Sequence, residues 1–225
     1  MAAGPTPVLR RPGARRGLAA VEVVLAVAAI LLDLVVPTLV LLVLAAVSLA
    51  GRREGPATLG LRRPDRPGRT CLQAVALGAA WTVLTFVLIR PVVEHLTGSA
   101  EDMSSYAGLQ GDRAALLGLL VLAWTLAAVG EEVAYRGYLL TRLRELLPGG
   151  RAWTVVAAVV AAVLFGWPHR EYGVVGVVQV TVDALFFTVL RFRYRTLWAA
   201  VVAHGTVDTV GIVAVFLAGP VAALW

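Results

Sequence analysis

The chain has 225 residues, of which 59% are hydrophobic, with a mean hydropathy of +0.82 and a formal net charge of +6. A soluble domain carries far less apolar surface, so the composition indicates an integral membrane protein and excludes an ordinary soluble enzyme. All 20 basic residues are Arg and they gather between apolar runs, the pattern of loops on the cytoplasmic side of a membrane; no nucleic-acid partner is expected.

Exclusive use of Arg, with abundant Ala, Val, Leu and Gly, suggests a GC-rich prokaryotic genome. The single cysteine, Cys71, rules out an internal disulfide and a thiolate metal cluster. With no histidine nearby in sequence to lower its pKa, it reads as inert.

Residues 1–17 are rich in Pro, Gly and Arg and read as a disordered cytoplasmic tail. Apolar segments follow at 18–32 and 34–50, with Asp33 between them and Pro37 just beyond. A single helix over 18–50 would be roughly 50 Å long, well beyond the bilayer's hydrocarbon core, so a hairpin turning near Asp33 and Pro37 is expected. The hairpin returns the Arg-rich loop 51–70 to the side of the tail.

Further apolar segments at 71–95, 114–140, 152–167, 173–190 and 196–218 then alternate across the membrane. The acidic stretch "TGSAEDMSSYAGLQGD" falls outside; Arg142, Arg144, Arg151 and "RFRYR" fall inside. The expected architecture is an all-α polytopic helix bundle of about seven transmembrane segments. It sits in the lipid bilayer of the plasma membrane with a cytoplasmic N-terminus and its active site between three helices.

Ionisable residues within spans are costly and normally face a cavity or one another. Three groups stand out on three segments. In "GEEVAYRGYLL", Glu132 and Arg136 lie one helical turn apart and neutralise each other, while Glu131 points elsewhere and is left as the reactive carboxylate. In "FGWPH", His169 lies four residues after Phe165, and Pro168 should bend the chain. In "HGTVD", His204 and Asp208 share one face of the last segment.

A carboxylate and a histidine can activate water, and a second histidine with a neighbour can stabilise an oxyanion. The absences fit such chemistry. There is no Lys for a Ser–Lys dyad, no GxSG and no HExxH helix, and neither Asp183 nor Asp208 stands in a GxGD setting. Helical rise counted from the cytoplasmic ends puts His204 roughly 12 Å deep, Glu131 roughly 15 Å and His169 roughly 27 Å. Convergence of the three therefore requires a tilted span, an embedded 141–151 loop or a bend at Pro168.

The three motifs, in this order, resemble the CAAX protease and bacteriocin-processing (CPBP, or Abi) family of intramembrane proteases: EExxxR at Glu131–Arg136, FxxxH at Phe165–His169 and Hxxx plus a polar residue at His204–Asp208. The resemblance covers about 71–218. It implies an intramembrane endopeptidase acting on a membrane-associated peptide or protein. Glu131 would activate water with His169, His204 and Asp208 would form the oxyanion site, and Glu132 and Arg136 would support Glu131.

Asp208 departs from the family pattern, where Asn is common; a carboxylate there would either be protonated or orient His204. Metal use is left open by the resemblance: Glu131, His169 and His204 would hold zinc with one open position, as in an intramembrane metalloprotease. The implied division is a tail (1–17), an N-terminal hairpin with its Arg-rich loop (18–70) and a protease core (71–225) with its signature at 114–210. The competing reading is a non-catalytic membrane immunity or scaffold protein that uses the same polar residues as structural glue.

Overall fold

Helix starts are set by proline and capping side chains. Pro37 and Pro67 occupy first-turn positions, where a missing N–H costs nothing. The Asp112 carboxylate accepts from the N–H groups of Ala114 and Ala115 at 2.9 and 3.0 Å, and Thr196 Oγ1 accepts from that of Trp198 at 3.3 Å. The computed structural model describes residues 12–220. Among them there is no strand, and the chain forms seven helical rods: α1 (Pro12–Leu31), α2 (Pro37–Arg52), α3 (Pro67–Thr97), α4 (Arg113–Leu146), α5 (Arg151–Gly166), α6 (Gly173–Tyr194) and α7 (Leu197–Ala218).

The rods follow the seven apolar segments, and the protein is a polytopic membrane helix bundle. Four helical stretches of the described residues are long and apolar enough to cross a bilayer; one of them, Arg151–Tyr194, folds back at 167–172 into α5 and α6. Outward-facing Leu72, Val83, Leu117, Val189 and Leu217 are exposed, as suits a lipid-facing surface.

Two details depart from the sequence reading. Residues 12–17, expected in a disordered tail, form the first turns of α1, where Arg15 pairs with Glu54 at 2.5 Å; residues 1–11 of that tail lie outside the described residues. The 18–50 hairpin turns at 32–36, where it was expected; Asp33 and Val35 there take positive φ angles of 52° and 57°, an unfavourable geometry for β-branched Val35. Beyond it, α4 runs on to Leu146 rather than ending near 140.

The reason for that extension is a buried ion network. Arg52 binds Glu22 at 2.6 Å and Glu145 at 2.8 Å, while Arg142 binds Glu145 at 2.8 Å and Glu54 at 3.0 Å. Together with Arg15, three arginines balance three glutamates and weld the α1–α2 hairpin to the end of α4. The Arg-rich connections collect at this end of the bundle, where Thr196 Oγ1 donates to Arg62 O at 2.6 Å and Arg191 Nη2 donates to Leu59 O at 3.3 Å. The acidic loop lies at the other end, where the Asp102 N–H donates to Tyr172 O at 3.1 Å and Arg170 pairs with Asp33 at 2.8 Å.

Two features shape the interior. Thr85–Ile89 in α3 is wound i→i+5, which accommodates Pro91 just beyond it. Farther back in α3, a Cβ on Gly78 would stand 2.7 Å from the Ala203 carbonyl oxygen, so only glycine lets α3 press against α7.

Arg142 is fully buried among Glu22, Glu54 and Glu145. Replacing it by Met strands those carboxylates and should cost about 3–5 kcal/mol of stability. Thermal unfolding in detergent checks this: a large fall is expected for Arg142→Met and almost none for exposed Arg193→Gln.

Candidate active site

The first motif lies on a stretch of α4, Ala123–Leu139, wound i→i+5 rather than i→i+4. Such winding is rare and tends to occur at functional sites. It places more residues in each turn, so consecutive side chains diverge less than in an α-helix. Glu131 and Glu132 therefore both reach the same histidine instead of pointing to separate faces. Glu131 Oε2 is 3.9 Å from His204 Nε2, and Glu132 Oε1 accepts from His204 Nδ1 at 3.0 Å.

The expected Glu132–Arg136 pair is present at 3.3 Å. Arg136 is almost fully buried, its guanidinium 4.0 Å above the Phe165 ring and 5.5 Å from that of Phe187. Phe187 stacks on His204 at 4.6 Å with an interplanar angle of 16°. Glu132 thus braces His204 directly, a contact the sequence spacing did not suggest.

The second motif ends α5. The chain leaves helical geometry at His169 (φ −87°, ψ 19°), just after Pro168, and a six-residue turn leads into α6. A bend here is one of the three arrangements that the depth count allowed. His169 Nδ1 lies 3.0 Å from the Phe165 carbonyl, which can only accept, so Nδ1 bears the proton and Nε2 keeps its lone pair. The same Phe165 carries the Arg136 guanidinium on its ring and so ties the second motif to the first.

On α7, Asp208 Oδ2 stands 3.6 Å from His204 Nε2. The helix is held close to α4 at Gly205, where a Cβ would lie 2.7 Å from the Trp124 ring. Glu131, His169, His204 and Asp208 all line one cavity of about 420 Å³; Glu132 and Arg136 lie behind its wall. No Ser, Cys or Lys lines it, and exposed Cys71 lies elsewhere.

Among the described residues no three His, Cys, Asp or Glu side chains are placed to hold one metal ion. Glu131, His169 and His204 are not brought together as a three-ligand group in this arrangement.

Several cavity residues were given no place in the site by the sequence, which set Asp183 aside for want of a GxGD setting and did not single out the others. Asp183 and Gln179 of α6 face the cavity, as do Arg90 of α3 and Glu101, Tyr106 and Tyr172 at the end bearing the acidic loop. Arg90 pairs with Glu94 and Glu101, each at 3.1 Å. Burial holds the Glu101 carboxyl above its usual range against the pull of Arg90. The signals were available: Arg90 and Glu94 are spaced as a helical ion pair, and Asp183 is a lone carboxylate within an apolar run.

A polytopic bundle with a carboxylate- and histidine-lined cavity is the class defined by fold and site. Residues 113–210 match the family model described as Rce1-like, type II CAAX prenyl endopeptidase Rce1-like. The matched stretch contains all three motifs and bears out, over those residues, the family they indicated. No curated protein and no solved structure matches the chain.

The Arg136 pairing generates a double-mutant cycle. Arg136→Met leaves Glu132 buried without its cation and should cost about 3–5 kcal/mol. Adding Glu132→Gln should recover part of that loss, with a coupling of about 0.5–3 kcal/mol in thermal unfolding. Strict additivity would show that the pair does not act as a unit.

Proposed function

We propose that this chain is an intramembrane endopeptidase that hydrolyses a peptide bond of a membrane-associated peptide or protein by direct attack of water. The observation that carries the reading is the convergence of Glu131, His169, His204 and Asp208, from three motifs on separate elements, on one cavity. The family match supports a CAAX-type protease at the level of class.

In this reading Glu131 takes a proton from water while the lone pair of His169 Nε2 accepts a second hydrogen bond and aligns it. The water oxygen adds to the peptide carbonyl carbon. The resulting oxyanion meets the Nε2–H of His204 in its imidazolium form, whose Nδ1–H is held by Glu132, whose charge faces Glu132 and Asp208, and whose ring is fixed against Phe187. Collapse of the tetrahedral intermediate breaks the C–N bond, and protonated Glu131 returns its proton to the departing amine. Water has then been divided between a new carboxyl group and a new amino group.

Asp208 lies beside His204 Nε2 at more than hydrogen-bond distance, which suits a group that steadies the imidazole and leaves its Nε2–H open to the oxyanion. Residues 71–225 form the protease core in this account, and the 18–70 hairpin and loop serve as a brace.

Cleavage of a membrane-presented peptide library by purified protein tests the reading. Glu131→Gln should lower kcat/KM by about 10²–10⁴-fold with an unchanged melting temperature, and His204→Ala should lower kcat by about 10²–10³-fold together with the melting temperature, because it takes a buried partner from Glu132 and Phe187. Chelator should leave the wild-type rate unchanged; its loss, restored by zinc, would make the reaction metal-dependent. Undiminished cleavage by Glu131→Gln would overturn the assignment and favour a non-catalytic protein.

A further inference from the structure

The cavity has a second polar wall that the proposed chemistry does not use. Asp183, midway along α6, receives Trp81 Nε1–H at 2.7 Å and Gln179 Nε2–H at 3.1 Å, both on Oδ1. Trp81 is itself fixed by face-to-face stacking on Phe186 at 4.2 Å. Both donors are neutral, so they orient the carboxylate without countering its charge. Among the described residues no donor reaches Oδ2, and no cationic side chain forms an ion pair with Asp183. The nearby guanidinium of Arg90 is matched by Glu94 and Glu101.

Gln179 gives the independent observation. Its nitrogen must face Asp183, since only a donor can approach a carboxylate at 3.1 Å, and it also reaches Thr85 Oγ1 at 3.4 Å. Its Oε1 is then an acceptor. That oxygen is buried without any hydrogen-bond partner, on a side chain only 5% exposed that lines the cavity. An orphaned buried acceptor costs about 1–3 kcal/mol, so one is expected to have a partner in the working state.

Two unfilled acceptors one helical turn apart, one of them charged, call for a guest that offers several N–H groups and a positive charge. A peptide N–H would satisfy Gln179 and leave the Asp183 charge uncompensated. A bare metal ion has no three-ligand group here.

We propose that this wall is a specificity subsite for a basic residue of the substrate, its ammonium or guanidinium seated between Asp183 and Gln179. The word substrate rests on the endopeptidase reading; the binding preference itself does not. Charged lining in an apolar-walled cavity sets selectivity more strongly than on an open surface, because water screens it less.

The test is a scanning series of membrane-partitioned peptides carrying Lys, norleucine or Glu at each position in turn. Binding to the protein in nanodiscs is read by fluorescence anisotropy in a Glu131→Gln background, which separates it from cleavage. At one position Lys should bind about tenfold or more tighter than norleucine, and Glu weaker still. Asp183→Asn keeps an acceptor for Trp81 and Gln179; it should bind the norleucine peptide as before and lose the Lys advantage. Asp183→Glu should keep most of that advantage.

No preference for Lys at any position, or a preference that survives Asp183→Asn, would overturn the subsite. Wild-type protein that binds the Lys peptide selectively and cleaves none of the series would count against the endopeptidase reading while supporting this one.

Discussion

A guanidinium buried in a membrane bundle imposes the constraint on which the site depends. Arg136 is 2% exposed, and taking its charge out of water is tolerable only if neighbours compensate. Glu132 supplies the countercharge at 3.3 Å and the faces of Phe165 and Phe187 lie against the guanidinium, whose Nη1 and Nη2 make no hydrogen bond. Each partner has a second duty. Glu132 Oε1 also holds His204 Nδ1, the Phe165 carbonyl holds His169 Nδ1, and the Phe187 ring stacks on His204. Countering one buried charge therefore fixes the position of both histidines, and the Phe165 carbonyl fixes the tautomer of His169. It also explains why the second motif begins with an aromatic residue, which has no chemistry of its own to perform.

Around that centre the bundle is closed by polar contacts at its two ends and by close helix contacts between them. At one end, Glu22, Glu54 and Glu145 with Arg15, Arg52 and Arg142 anchor the N-terminal hairpin to α4. At the other, the acidic loop reaches over the cavity through Glu101 and Tyr106, whose hydroxyl lies 3.3 Å from that of Tyr172. The cavity is thus set in a bundle braced at both ends.

Much of this was legible in the sequence. Apolar runs separated by arginines gave the helical rods, because lipid leaves few alternatives to a helix for a spanning segment. Glu131, His169, His204 and Asp208 stood out because ionisable groups within spans are expensive. The i→i+5 winding of Ala123–Leu139 left no mark on residue pattern, and an assumed α-helical period therefore assigned Glu132 to Arg136 alone. Glu22 was hidden for a different reason: its partners Arg52 and Arg142 are distant in sequence and come together only when the hairpin docks. Depths counted along separate rods called for a bend at Pro168 as one way to bring the motifs together, and α5 does stop at Gly166 with His169 in the turn beyond it.

The central claim is that water attacks the peptide directly, in a cavity that offers no serine, cysteine or lysine nucleophile. Cleavage of a membrane-presented peptide in the presence of hydroxylamine tests it most directly, with mass spectrometry of product and protein. Direct attack predicts a hydrolysed product only, with its new carboxyl oxygen drawn from labelled water and the protein mass unchanged. A peptide hydroxamate or a peptide covalently attached to the protein would contradict the account.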